Sequence, residues 1–206
     1  QFQALETNRQ TAKFAISKAA LPAAAALAGL AAAAGLSVKA AIQDEAAQSA
    51  LARQLRVSTT ATDANIASVE KYIDRLGKTV AITDTEARPA FASLALATKD
   101  VTKAQELMAI AIDTAAATSK PLADVAEAMS RGFAGNTKGL KQLSPELAAL
   151  IKDGASAAEA FAVLKENFGG AGELAANTTA GQMKVLKIQL DETCLLYTSP
   201  SPRDRQ

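Results

Sequence analysis

Carboxylate side chains are the first candidates for chemistry in this sequence. Asp63, Asp74, Asp84 and Glu86 lie near one another along the chain. Two carboxylates held at a suitable separation can hydrolyse a glycosidic bond. The local pattern, however, places these residues at helix caps and on polar helix faces, where carboxylates commonly interact with solvent or with the helix dipole. We therefore predict no catalytic residues, and the chain is not expected to be an enzyme.

Other residue types that carry chemistry are scarce or poorly placed. The sequence has no histidine, so no imidazole is available to activate a serine or threonine or to bind a metal ion. The glycine-containing segments GNTKGL and FGGAG lack the strand and the Lys-Ser/Thr pair of a phosphate-binding loop. Met108 and Met129 fit a helix core better than a ligand set. We predict no metal site and no cofactor.

The composition favours closely packed helices over a wide core. Alanine is abundant, and aromatic residues make up 4% of the chain. Alanine has the highest helix propensity, and its small side chain lets helices approach closely. The formal net charge is +1 and becomes balanced when Arg203, Asp204 and Arg205 are left out. Because nucleic-acid binding needs a basic face, we predict no specific nucleic-acid binding.

Apolar residues recur at helical spacing along most of the chain. We predict an all-α fold: an extended multi-helix array with long N-terminal helices and a small cluster of short antiparallel helices. The predicted divisions are an N-terminal helical region over 1–57, a connecting helix over 58–82, a main helical region over 83–192 and a distinct C-terminal segment over 193–206. Within the main region, four phenylalanines are expected to share one cluster: Phe91, Phe133, Phe161 and Phe168.

Capping residues predict where several helices begin. Thr83 with Glu86, and Ser156 with Glu159, match the capping box. Asp100 is a predicted N-cap, and Ser119 is predicted to cap a helix that has Pro121 in its first turn. Glycines are predicted to end two helices, at Gly135 and Gly154.

The uncharged run Ala19–Val38 has two interpretations. About twenty apolar residues can span a bilayer, which suggests a membrane segment. Alternatively, the run is an alanine-rich helix packed within an oligomer. Its larger apolar residues contribute only about −1.5 to −3 kcal/mol to insertion in total, and Pro22 opposes insertion. We expect no stable insertion by a single copy, and we take these larger residues as the candidate membrane or partner contacts: Leu21, Leu27, Leu30, Leu36 and Val38.

The two ends suggest a fragment. The chain starts at Gln1 without a methionine, so we expect an internal piece of a longer gene product. The string CLLYTSPSPRD, which begins at Cys194, matches the translation of a transposase-type sequencing adapter. We therefore expect Cys194–Gln206 to be adapter read-through and not native sequence. A native tail rich in proline, serine and arginine is the alternative.

An ordered series of motifs carries a family resemblance. The segment LALATKDVTKAQELMAIAIDTAAATSKPLADVAEAMSRGFAGNTKGLKQL contains an A-T-x-D turn, a helix with A-x-D-x-A, then T-x-K-x-L-x-x-V, then a G-N-T turn followed by leucine. It resembles the N-terminal region of tail tape-measure proteins from long-tailed bacteriophages and prophages. The resemblance extends upstream through KAAIQDEAAQSALARQL and downstream through FGGAGELAANTTAGQMKVLKIQLDE, covering most of 39–192.

The resemblance implies a structural role. Such proteins set tail length and assist tail assembly and genome delivery. The implied partners are further copies of the chain, the tail tube proteins and the tail assembly chaperones, with contact to the host membrane on ejection. The implied locations are the tail tube lumen of the virion, the host cytoplasm during assembly and the host envelope during ejection. The alternative is a membrane-associated helical protein anchored by residues 19–38.

Overall fold

The structure, a computed structural model, describes residues 42–198, with side chains for residues 42–193. The first helix, α1, is described over 42–59. The later helices are α2 (Asp63–Thr79), α3 (Asp84–Thr98), α4 (Val101–Thr118), α5 (Leu122–Phe133), a 3₁₀ turn (Leu140–Gln142), α6 (Pro145–Lys152), α7 (Ala157–Phe168), α8 (Ala171–Ala176) and α9 (Thr179–Thr198). Residues 42–198 contain no β-strand, and the all-α prediction is confirmed.

Most of the predicted helix starts are present as expected. Thr83 with Glu86 and Ser156 with Glu159 form reciprocal capping boxes, and the carboxylate of Asp100 accepts from two backbone N–H groups of α4. The prediction for Ser119 was wrong. Ser119 ends α4 in the left-handed conformation, and Pro121 itself occupies the N-cap of α5 without a side-chain hydrogen bond. Proline can take this position because its fixed φ suits a helix start.

The helix α3 lies at the centre of the fold and packs against α2, α4 and α5. Its buried face combines small residues with Phe91 and Leu94, which are both 0% exposed. Gly132 lets α5 lie close to the 3₁₀ turn, since a Cβ at this position would lie 2.6 Å from Leu140 Cδ1. The abundant alanine and glycine thus let short helices pack with little space between them.

Residues Asp44–Thr193 form one compact unit. In this range the structure differs from the expected extended array. Leu51 and Leu55 of α1 and Ile73 of α2 belong to the same apolar core as residues from α3 to α7. The predicted divisions at 57/58 and 82/83 lie near breaks between helices, and the core continues across both. The physical reason is that the apolar stripes of α1 and α2 are covered by α3 and its neighbours.

The expected cluster of four phenylalanines is only partly formed. Phe91 is 0% exposed, Phe161 is 8% exposed, and Phe168 packs partly buried against the core. Phe133 departs from the prediction and is 40% exposed. It is the last residue of α5, where the chain turns away through Ala134 and Gly135, and part of its ring remains in solvent.

Thr114 on α4 provides a test of core packing. It is 0% exposed, and within the described part of the chain its hydroxyl has no hydrogen-bond partner. A buried polar group without a partner costs about 1–3 kcal/mol. We expect Thr114→Val, which has nearly the same shape, to leave stability unchanged or raise it by up to about 1 kcal/mol. Urea unfolding followed by circular dichroism measures the change, and a clear loss of stability would contradict the expectation.

Candidate functional site

The four candidate carboxylates do not form a catalytic pair. Asp63 makes an exposed ion pair with Arg56 at 2.7 Å, and Asp74 lies exposed on α2. Glu86 accepts from the backbone N–H of Thr83 in the capping box and lies 3.4 Å from Lys184 Nζ. Only Asp84, among these four, belongs to a partly buried network. Asp63, Asp84 and Glu86 therefore serve helix capping and ion pairing.

Burial and capping act in opposite directions on Glu86. Burial raises the pKa of its carboxyl group, but hydrogen bonds from Thr83 and the charge of Lys184 lower the pKa by more, so the net shift is downward. Glu86 is thus held in its charged form at the start of α3, where the helix dipole also favours a negative charge.

The most concentrated charge lies where α1, α2 and α3 meet. We name it the Arg88 cluster; it consists of Arg88, Asp44, Glu70 and Asp84. Arg88 is 4% exposed. Its Nη1 donates to Asp44 Oδ1 at 2.5 Å, its Nε to Glu70 Oε2 at 3.2 Å and its Nη2 to Asp84 Oδ2 at 2.8 Å. One guanidinium therefore links three helices.

The cluster carries more negative than positive charge. Burial raises the pKa of Glu70 and of Asp84, although the charge of Arg88 opposes the shift in both cases. Burial lowers the pKa of Arg88, but the surrounding carboxylates outweigh it and the net shift is upward. Within the described part of the chain, Glu70 Oε1 and Asp84 Oδ1 have no hydrogen-bond partner. The cluster thus joins the helices through ion pairs, and the single positive charge of Arg88 only partly neutralises its three carboxylates.

Nothing in this geometry suggests bond-making chemistry. Each carboxylate of the Arg88 cluster is engaged by the guanidinium, and a nucleophile with an activating base is not among its members. Across residues 42–193, no group of three or more ligating side chains is arranged to hold a metal ion. The Arg88 cluster therefore acts as a structural link between α1, α2 and α3.

A second polar contact joins distant parts of the chain. Asp113 on α4 accepts from the backbone N–H of Gly170 at 3.0 Å and from that of Gly172 at 2.9 Å. Gly170 has φ of 83°, a conformation that glycine adopts readily. At Gly172 a Cβ would lie 2.8 Å from Ile112 Cγ2. Asp113 therefore caps α8 from a neighbouring helix, and the two glycines permit this approach.

We expect Asp113→Ala to loosen α8 and to reduce stability by about 1–2 kcal/mol, the usual effect of losing an N-cap. Hydrogen exchange at the amides of Gly170 and Gly172 should accelerate most. Asp153→Ala is the matched control, since Asp153 is an exposed aspartate at the end of α6. Equal exchange in the two variants would show that Asp113 does not hold α8.

Five apolar residues were predicted from the sequence as membrane or partner contacts. Leu21, Leu27, Leu30, Leu36 and Val38 are outside the described residues. Among the helices of residues 42–198, none combines the length and the hydropathy required to cross a bilayer.

The Arg88 cluster and the contact between Asp113 and Gly170 were not predicted from the sequence. One signal was present: Arg88 stands between Ala87 and Phe91 on the apolar side of its helix, where a lone arginine needs acidic partners. Asp44 and Glu70 could not be identified as those partners, because they lie 44 and 18 residues away in the chain.

Comparison with known proteins adds no relative. No protein family, no curated protein and no solved structure matches this chain.

Proposed function

We propose that the chain is part of a phage tail tape-measure protein, which sets tail length and assists tail assembly and genome delivery. The main support is the ordered series of motifs over 39–192. A chain stretched within a tube can act as a ruler, because its length grows in proportion to its residue number. Its partners would be its own copies, the tail tube proteins and the assembly chaperones. The host membrane would be met on ejection.

Two of the motifs make defined contacts within the fold. In the A-T-x-D turn, the Thr98 hydroxyl accepts from the Asp100 N–H, and the Asp100 carboxylate caps α4. The aspartate of A-x-D-x-A is Asp113, which caps the glycine-containing segment FGGAG further along the chain. Each of the two motifs thus supplies a residue that a turn or a helix junction of this fold requires.

The proposal predicts a change in tail length. In the phage or prophage that carries the full reading frame, an in-frame insertion of about 60 helical residues outside 44–193 should lengthen the tail by up to about 90 Å. Electron microscopy measures the length, and mass spectrometry of purified tails should detect peptides from 44–193. An insertion of equal length that stops the reading frame should yield no normal tails. Unchanged tails, or virions without these peptides, would refute the proposal.

The membrane-associated alternative depends on residues 19–38. Partitioning of a peptide covering residues 18–39 into liposomes tests it directly. Tight insertion of the monomeric peptide would favour the alternative. Weak partitioning would agree with the small insertion energy expected from its leucine and valine residues.

A further inference from the structure

The helix α9 carries two apolar faces that point in different directions. Val185 and Ile188 face the unit to which α9 belongs: Ile188 is 7% exposed, and its Cγ2 lies 3.2 Å from where a Cβ on Gly77 would be. Met183, Leu186 and Leu190 are 65%, 51% and 58% exposed. At about 100° per residue, the second set lies roughly 160° around the helix from the first. Met183 and Leu190 therefore lie away from the helices that α9 packs against, while Leu186, which is half exposed, also borders a pocket formed with the ends of α2 and α8.

We name the exposed set and its flanking threonines the α9 stripe; it consists of Thr179, Met183, Leu186, Leu190 and Thr193. The spacing between successive members alternates between four and three residues. This is the alternation of core positions in a coiled coil, where identical helices bury the same face against each other. The α9 stripe therefore has the pattern of a seam between two helices.

The residues beside the α9 stripe permit pairing between identical chains. Gln182 and Gln189 lie on one side of it, and Ala180 and Lys187 lie on the other. In a parallel pair, Lys187 of one copy would face Gln182 of the other, so like charges do not meet. We infer that the α9 stripe is a docking surface for the same stripe of a second copy of this chain.

The size of the α9 stripe sets the strength of this pairing. Stable interfaces commonly bury about 800 Å² per partner, and three large apolar side chains provide less than this. We therefore expect weak, concentration-dependent association in solution. Copies confined within one tail would pair more fully, because confinement raises their effective concentration. The inference deepens the proposed self-association, but its solution test does not depend on the tail role.

The test compares two leucines of equal exposure. Leu190 is 58% exposed in the α9 stripe, and Leu96 is 57% exposed on α3. Sedimentation of the full chain is measured from roughly 5 to 500 µM, with reductant present so that Cys194 cannot link two chains. Wild type and Leu96→Glu should shift from monomer to dimer over this range. Leu190→Glu should weaken association by about tenfold or more, because a buried carboxylate without a partner is costly.

Circular dichroism checks that each variant keeps its helices. A wild-type chain that remains monomeric would overturn the inference, including the case in which residues 19–38 of the same chain cover the α9 stripe. Equal weakening by Leu96→Glu and Leu190→Glu would also overturn it. If the chain dimerises in solution but the insertion described above leaves tail length unchanged, the inference is supported and the proposed function is refuted.

Discussion

Replacing Arg88 with methionine is expected to destabilise the unit by about 3 kcal/mol or more. The substitution leaves Asp44, Glu70 and Asp84 close together without their shared guanidinium. Removing one partner from a buried ion pair commonly costs about 3–5 kcal/mol, because the remaining charge stays buried and unpaired. The side chains of these carboxylates keep 21–31% of their exposure, which places the expected effect toward the lower end of this range. Urea unfolding of the full chain measures the loss.

Arg56→Met is the matched control. The pair between Arg56 and Asp63 has a similar length, 2.7 Å, but its side chains are 57% and 89% exposed. Exposed pairs contribute about 0–1 kcal/mol, so this variant should remain close to wild type. Similar losses in the two variants would mean that burial of the Arg88 cluster is not important.

The Arg88→Met effect should depend on pH. Burial already raises the pKa of Glu70 and of Asp84 above their ordinary values, and the charge of Arg88 holds this shift back. Without Arg88, both pKa values should rise further. As the pH falls, the carboxylates of the folded variant take up protons at a higher pH than those of the unfolded chain do. The stability of the variant therefore rises as the pH falls through the raised pKa values. The deficit relative to wild type should be largest at neutral pH and smaller in mild acid. A constant deficit would contradict this explanation.

Phe91→Ala is expected to cost about 3–5 kcal/mol, the usual range for removing a large aromatic side chain from a core. Phe91 is 0% exposed, and its ring centroid lies 6.2 Å from that of Tyr72. The ring fills space at the centre of α3, between several helices that cannot easily close around a cavity. Thermal and urea unfolding should both report the loss.

Phe133→Ala makes the same chemical change at a different depth. Phe133 is 40% exposed, so its removal leaves little enclosed space, and we expect a loss of about 1 kcal/mol or less. Comparing the two variants thus shows how burial changes the loss of stability for the same substitution, phenylalanine to alanine. Equal losses would show that Phe133 has a packing partner that its exposure does not suggest.

The sequence predicted the helical elements well because their signals are local. The capping boxes at Thr83 and Ser156 each join residues three positions apart, and Asp100 bonds to amides two and three positions ahead. Ile66, Val69, Ile73 and Leu76 recur at spacings of three and four residues, and all four lie on the buried face of α2. Ser119 failed as a cap because Pro121 can begin a helix without one.

The candidate sites were predicted less well. Asp63, Asp84 and Glu86 lie in the first turns of their helices and Asp74 is exposed, but the partners of Asp84 were not identified. The capping of α8 by Asp113 joins residues 57 and 59 positions apart. The glycines of FGGAG permit the turn before α8, and nothing in the local pattern indicates which side chain binds its amides.

By itself, the sequence determined the helices and many of their ends, because hydrogen bonds and apolar spacing over a few residues control these features. The tertiary structure decided which residues became buried. It covered Phe91 and left Phe133 exposed, and it brought Asp44 and Glu70 to Arg88. It also left Met183, Leu186 and Leu190 more than half exposed on α9. These outcomes depend on how whole helices pack, since burial is a property of the assembled core and not of any short segment.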